Sequence, residues 1–255
     1  MSLKSKAILT AAFLSATLAA GIASATTYTV GTGATYRPFE YETPSKELTG
    51  FDVDLMKEIA KAGDFDVKFI NTAWSAIFAG LNNGDLDIIM SGITITPKRQ
   101  ETIDFSRPYF LAHQLILTNS DLKITSLKDL KGKLIAVVAA SAGDVAASAE
   151  FGKASLNIRR FDNTPLALEE LANGGVDAMI GDVGVLQWYV KQNPSKNFNQ
   201  CRDPNFAEQY FGIGIRKGNK QVLDDVNRGL EKAISSGAYD AVYRKWFGAE
   251  APKLP

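Results

Sequence analysis

One cysteine, one histidine and no surplus of positive charge mark this 255-residue chain, and each scarcity closes off a class of function. Cys201 alone cannot form an internal disulfide, so stability has to come from a buried core rather than from covalent staples. His113 is the only histidine, which leaves no His-based metal cluster, and its place near a lobe boundary reads as structural rather than as part of a Ser-His-Asp arrangement. Lys and Arg together number 28, as do Asp and Glu, so no basic field attracts nucleic acid or an anionic membrane; neither is expected as a partner. No phosphate-cradling P-loop is present. Gly31-Thr32-Gly33 begins like a dinucleotide fingerprint, but Tyr36 stands where the third glycine belongs. The acidic residues are spread out, and nothing marks two of them as a catalytic pair. No cofactor and no metal are expected.

The first residues set the compartment. Lys4 and Lys6 form a short basic start, Ala7 to Ala20 is an almost unbroken apolar run, and Gly21 to Ala25 ends in a small-x-small pattern. That is a secretory signal peptide over 1–25, with cleavage expected after Ala25 and a periplasmic destination. The run is short for a membrane span of about 20 residues, and no later stretch has a span's length and apolarity. No cysteine lies near the cleavage point to carry lipid. The mature chain from Thr26 is expected to be slightly acidic, soluble, unanchored and monomeric.

Short apolar strands alternate with amphipathic helices, which predicts an α/β fold with largely parallel sheets. Tyr28 to Val30 reads as a first strand, followed by a turn at Gly31-Thr32-Gly33. A helix is predicted from about Asp52 to Ala62, then a strand Val67 to Ile70, a helix Ala76 to Leu81 and a buried strand Leu86 to Met90. The segment Leu81-Asn82-Asn83-Gly84-Asp85-Leu86-Asp87-Ile88-Ile89-Met90 is echoed by Leu171-Ala172-Asn173-Gly174-Gly175-Val176-Asp177-Ala178-Met179-Ile180. Both read as a helix end, an Asn-Gly stop and an apolar strand. The echo suggests two similarly built lobes. The first is expected over 26–112 plus 210–255, the second over 113–209, with a two-stranded hinge that permits closure. Near the C-terminus, Val222, Val226, Leu230 and Ile234 are read as one helical face.

In open α/β sheets, ligands bind beyond the carboxyl ends of the strands. That rule points Ser91-Gly92 and Gly181-Asp182 at one shared cleft. Thr96-Pro97 starts a helix, placing Arg99 in its opening turn, where its planar fork suits a carboxylate; pairing with Glu101 is the competing reading. Asp182 is either the acceptor of an ammonium group or a helix cap. Ser141 is either a plain cap or part of a helix start that offers N–H groups to an anion. Tyr36 and Trp74 follow predicted strands and are either core or two aromatic walls around a ligand.

These segments resemble a known family, the periplasmic polar amino-acid binding proteins of ABC importers, across essentially the whole mature chain. The resemblance runs through Gly31 to Glu40, Gly50 to Leu55, Ser91 to Arg99, Asp104 to Tyr109, Leu127 to Gly132 and Lys245-Trp246-Phe247-Gly248. It implies the two-lobed type II binding-protein fold, an amino-acid ligand and a membrane permease as partner. It also implies that Arg99, with the backbone near Thr94 and Ala142, holds the α-carboxylate. Gly92, Thr94 and Asp182 would receive the α-ammonium, while Tyr36 and Trp74 would form the aromatic walls; Ser91 and Ser141 complete the expected site. Gly33 stands where relatives of basic or amide specificity often carry an acid, which argues against lysine or arginine and leaves room for a longer side chain; the default ligand is glutamine-like, with a larger neutral or acidic one next. Arg37 is a second specificity position, at the pocket rim or in solvent. The same scaffold is similar to dehydratases that make aromatic amino-acid precursors, but Val185 falls where their catalytic glutamate belongs, so no enzyme activity is expected. A receptor's sensor domain needs a membrane span that the chain lacks.

Overall fold

The computed structural model describes residues 26–255, so the expected signal peptide lies outside the described residues. Among the described residues, eight α-helices follow one another: α1 (Phe51–Gly63), α2 (Trp74–Asn83), α3 (Pro97–Gln100), α4 (Ala142–Phe151), α5 (Thr164–Ala172), α6 (Val183–Gln192), α7 (Lys220–Ser235) and α8 (Ala238–Phe247). Two five-stranded sheets carry them. The first is ordered Asp66–Asn71, Thr27–Thr32, Ile88–Ile89, Gly214–Arg216, Ile103–Phe105. The second is ordered Ile158–Phe161, Ile135–Val138, Ala178–Asp182, Gln114–Thr118, Asn199–Cys201.

Both sheets obey one scheme, in which the fourth strand alone runs against the other four. That opposing strand has the same origin in each case. Phe110–Ala112 and Gln209–Phe211 pair antiparallel as a separate two-stranded link, and each opposing strand is the one that follows a passage through it. The chain therefore enters each sheet from the link in the direction opposite to the right-handed β-α-β windings, and the mostly parallel expectation holds with this one reversal.

The sequence echo has a structural meaning. Gly84 and Gly174 end α2 and α5 with φ of 88° and 76°. Three residues later, Asp87 Oδ2 accepts from Thr29 N–H at 2.8 Å and Asp177 Oδ2 accepts from Leu134 N–H at 2.7 Å. In each half, one aspartate just ahead of the third strand ties it to the first, accepting a backbone N–H that lies beyond the residues paired between the two.

Boundaries differ from expectation in places. The first strand runs on to Thr32, so the turn comes after Gly31-Thr32, and the strand predicted over Leu86 to Met90 pairs regularly only at Ile88–Ile89. In α7, Val222, Val226 and Leu230 are buried, whereas Ile234 is 42% exposed and Ala233 takes its place in the core. A four-residue step overshoots a 3.6-residue turn by about 40°, and after three steps the side chain has left the buried face. Leu230→Ala is accordingly expected to cost about 2–5 kcal/mol and Ile234→Lys under about 0.5 kcal/mol, as read from urea midpoints.

An aromatic cluster lies under the link. Phe39, Phe51, Phe110 and Phe211 are buried together, with Phe39 edge-on to Phe110 at 4.9 Å and to Phe211 at 5.4 Å. α8 closes it with Phe247, 5.2 Å from Phe51. Asp54 on α1 holds that helix in place, accepting from Trp246 Nε1 at 2.8 Å and Lys245 Nζ at 2.6 Å. Among the described residues, no helix is long and apolar enough to cross a membrane.

Candidate functional site

A cavity of about 650 Å³, counting its open mouth, lies between the two sheets. Tyr36, Trp74, Ser91, Gly92, Thr94, Arg99, Ser141, Ala142, Asp182 and Gly33 all line it. The expected residues thus come together in one place, although they span nearly 150 positions of sequence. Arg37 does not line it. Its guanidinium stacks 3.6 Å over the Tyr41 ring and 5.6 Å from Trp188, in a second groove at the cleft mouth. His113 lies at the start of the strand after the link, where its carbonyl accepts from Val183 N–H at 2.9 Å.

Arg99 is placed as the sequence predicts. Thr96 caps α3, accepting from Arg99 N–H at 3.2 Å, with Pro97 in the first turn. The guanidinium donates to the carbonyls of Thr94 at 2.8 Å and of Ala140 at 3.1 Å, and lies 5.3 Å from the rings of Trp74 and Phe78. Burial lowers its pKa to about 10, countered by Asp182 and Tyr36, so it stays charged at neutral pH. Glu101 pairs instead with Lys98, at 2.6 Å.

Asp182 occupies the residue before α6 but makes no cap hydrogen bond. Its carboxylate turns into the cavity, accepting from Gln114 Nε2 at 2.8 Å and from the Tyr36 hydroxyl. Burial pushes it up to about 6, against the pull of Tyr36, Gln114 and Arg99. Ser141 is a cap, accepting from Asp144 N–H at 3.2 Å, which leaves Ala142 as the first N–H of α4 at the cavity wall; a helix's opening N–H groups have no intrahelical partner. Trp74 opens α2, and its indole N–H donates to the carbonyl of Ala139 at 2.9 Å. Among the described residues, three hydrogen bonds thus cross the cleft: Trp74 to Ala139, Arg99 to Ala140, and Tyr36 to Asp182.

The sequence reading missed a pair of acids beneath this floor. Glu40 is fully buried and lines the cavity; Asp52, in the first turn of α1, is buried against it. Ser91 Oγ donates to Glu40 Oε1 at 2.6 Å and accepts from Gly33 N–H at 3.1 Å, so the serine positions the glutamate. Asp52 Oδ2 accepts from Gly92 N–H and from the Tyr109 hydroxyl, both at 2.8 Å. Burial and the negative charge of the neighbouring Asp52 hold Glu40 well above the usual carboxylate range, and burial pushes Asp52 up to about 7. A signal was available: Phe39-Glu40 and Phe51-Asp52 are matching aromatic-acid dipeptides. Their rings pack edge-on at 6.0 Å, which brings the acids side by side. Among the described residues, no group of three or more His, Cys, Asp or Glu side chains is placed to hold a metal ion.

A two-sheet α/β molecule with a charged cleft at its link is the architecture of a solute-binding protein. Residues 28–249 match the model of the bacterial extracellular solute-binding proteins, family 3, and the chain belongs to that family. It is 42% identical over 224 residues to a probable histidine-binding protein of Neisseria gonorrhoeae, covering 88% of this chain and 84% of that one. The arginine-, lysine-, histidine-binding protein ArtJ of Geobacillus stearothermophilus superposes with a TM-score of 0.85 at 43% identity, over 89% of this chain and 97% of ArtJ. An ancestral arginine-binding protein, solved bound to glutamine, gives a TM-score of 0.81 at 38% identity, over 88% and 98% of the two chains.

Proposed function

We propose that this protein is the amino-acid-capturing component of an ABC importer, working in the periplasm, and that its cargo is a basic amino acid, arginine or histidine. The charge balance of the cavity carries this reading. Arg99 matches an α-carboxylate through its planar fork, and Asp182 matches an α-ammonium. Glu40, backed by Asp52, remains for the side chain, and a desolvated carboxylate favours a cationic group over an anionic one. Gly33 lacks the acid that relatives of basic or amide specificity often carry there, which counted against lysine or arginine; Glu40 supplies a carboxylate from a neighbouring position. The names of the gonococcal relative and of ArtJ support the same choice.

In this reading residues 26–112 with 210–255 form one lobe and 113–209 the other. Ligand docks on the first, the second closes over it, and a membrane permease recognises the closed monomer. No chemistry is performed on the ligand. The position that would need a proton-transferring glutamate in a dehydratase is Val185, 3% exposed and packed in the aromatic core.

The test is a thermal-shift screen of the refolded, ligand-stripped protein against all amino acids and cystine. A ligand that binds only the folded state raises stability as RT ln(1 + [L]/Kd). Arginine and histidine are expected to give the largest shifts. Shifts confined to glutamate and aspartate, or a flat result, would refute the assignment.

A further inference from the structure

The Glu40–Asp52 pair has a feature that a fixed counter-charge does not need. Ser91 occupies one Glu40 oxygen, while Gly92 and Tyr109 occupy one Asp52 oxygen. Glu40 Oε2 and Asp52 Oδ1 are left, both buried and without a donor among the described residues. Two adjacent desolvated carboxylates cannot both stay ionised and unpartnered. One proton held between them satisfies both oxygens.

The surroundings decide where that proton sits. Asp52 receives two donors besides Glu40, whereas Glu40 receives only the Ser91 hydroxyl, so Asp52 carries the charge and Glu40 the proton. The other titratable groups facing the pair are Asp182 across the cavity, Tyr36 paired with Glu40 on the adjacent strand, and Tyr109 beside Asp52. Asp182 adds negative charge and favours the protonated form of Glu40. Arg99 lies among the cavity-lining residues too, with its guanidinium committed to Thr94 and Ala140.

We propose that this shared proton lets one cavity accept both neutral and cationic amino-acid side chains: Glu40 keeps it beside a neutral amide and yields it to solvent when a guanidinium arrives. The inference rests on the reading of the cavity as an amino-acid site. The balance is simple, since one positive charge enters with the ligand and one leaves as the proton, and the net charge of the buried site does not change. Preference then follows pH. Because arginine binding releases a proton, its affinity rises with pH, by up to about tenfold per unit, while that for glutamine does not. Both ligands bring the same α-ammonium and α-carboxylate, so any titration of Asp182 cancels in the comparison. Histidine is avoided as a probe because its own imidazole titrates in this range.

The experiment is calorimetry of the stripped protein with L-arginine and with L-glutamine, in buffers of different ionisation enthalpy near neutral pH and along a pH series. The expected result is about one more proton released per arginine than per glutamine. Glu40→Gln, which mimics the protonated acid, is expected to abolish that difference and to lower the arginine-to-glutamine affinity ratio at least about tenfold. Equal proton counts for the two ligands in the unmodified protein overturn the shared-proton device while leaving the amino-acid site standing. Failure of glutamine to bind overturns the dual acceptance. Failure of arginine to bind overturns both the device and the basic-amino-acid reading. The unmodified protein alone decides these outcomes if the variant does not fold.

Discussion

Replacing Arg99 with alanine is expected to weaken amino-acid binding by about 3–5 kcal/mol, or roughly two to three and a half powers of ten, with the fold intact. The guanidinium is the one cationic group among the residues lining the cavity, and its two described hydrogen bonds go to carbonyls rather than to an acid. A bound α-carboxylate would therefore lose its only formal counter-charge. Removal does not strand a buried carboxylate, because Asp182 keeps Tyr36 and Gln114 as donors. The thermal midpoint of the ligand-free variant should thus stay within a few degrees of the parent. Arg99→Lys keeps the charge but loses the planar fork and the stacking over Trp74 and Phe78, so it is expected to recover only part of the affinity. Calorimetric titration of both variants with arginine checks this, and an alanine variant of undiminished affinity would remove Arg99 from the site.

The second large effect is expected from a residue that touches no ligand. Gly50 precedes α1 with φ 136° and ψ 176°, and a Cβ there would come within 2.0 Å of the Phe39 carbonyl oxygen and 2.8 Å of the Glu40 Cα. Both obstacles are backbone, so neither can rotate away. The close approach is fixed by hydrogen bonds on either side, from Phe51 N–H to the Pro38 carbonyl at 3.0 Å and from Asp52 N–H to the Phe39 carbonyl at 2.9 Å. Gly50→Ala is expected to cost about 4 kcal/mol or more, a large share of a typical total stability of about 5–15 kcal/mol. Gly237→Ala is the control. It shares a positive φ, 81°, in the left-handed helical region, but its Cβ meets nothing within 4 Å, so only the backbone penalty of about 1–2 kcal/mol remains. Equal urea midpoints for the two variants would show that the contact at Gly50 is relaxed in solution.

Much of this architecture is legible in the chain. Alternation of apolar strands with amphipathic helices fixes the layers, and the Asn-Gly-x-x-Asp echo marks the third strand of each sheet because the same aspartate does the same job twice. Arg99 is legible because Thr96-Pro97 locates a helix start by local rules alone. Asp182 is not decidable locally, since the sequence of a cap and of a cavity acid is the same; only the approach of Tyr36 and Gln114 from distant segments separates them. The Glu40–Asp52 pair escapes for a related reason. A hairpin and eleven intervening residues in all separate the two acids, and it is the packing of Phe39 on Phe51 that unites them. The same limit applies in part to Arg37, which stacks on nearby Tyr41 but whose second aromatic neighbour, Trp188, belongs to the other half of the chain.

The three hydrogen bonds that span the cleft set how firmly the molecule grips. A hydrogen bond exchanged against water contributes only about 0.5–1.5 kcal/mol net, so the polar part of the seal amounts to a few kcal/mol. Two conformations separated by that much interconvert readily, with the minor one populated at about 0.1–10%. In the closure proposed above, Tyr36, Trp74 and Arg99 would work as a latch with a light spring. A carrier of that kind has to let go as reliably as it seizes, and its dwell time with cargo is expected to depend on how weakly these three side chains tie one half to the other.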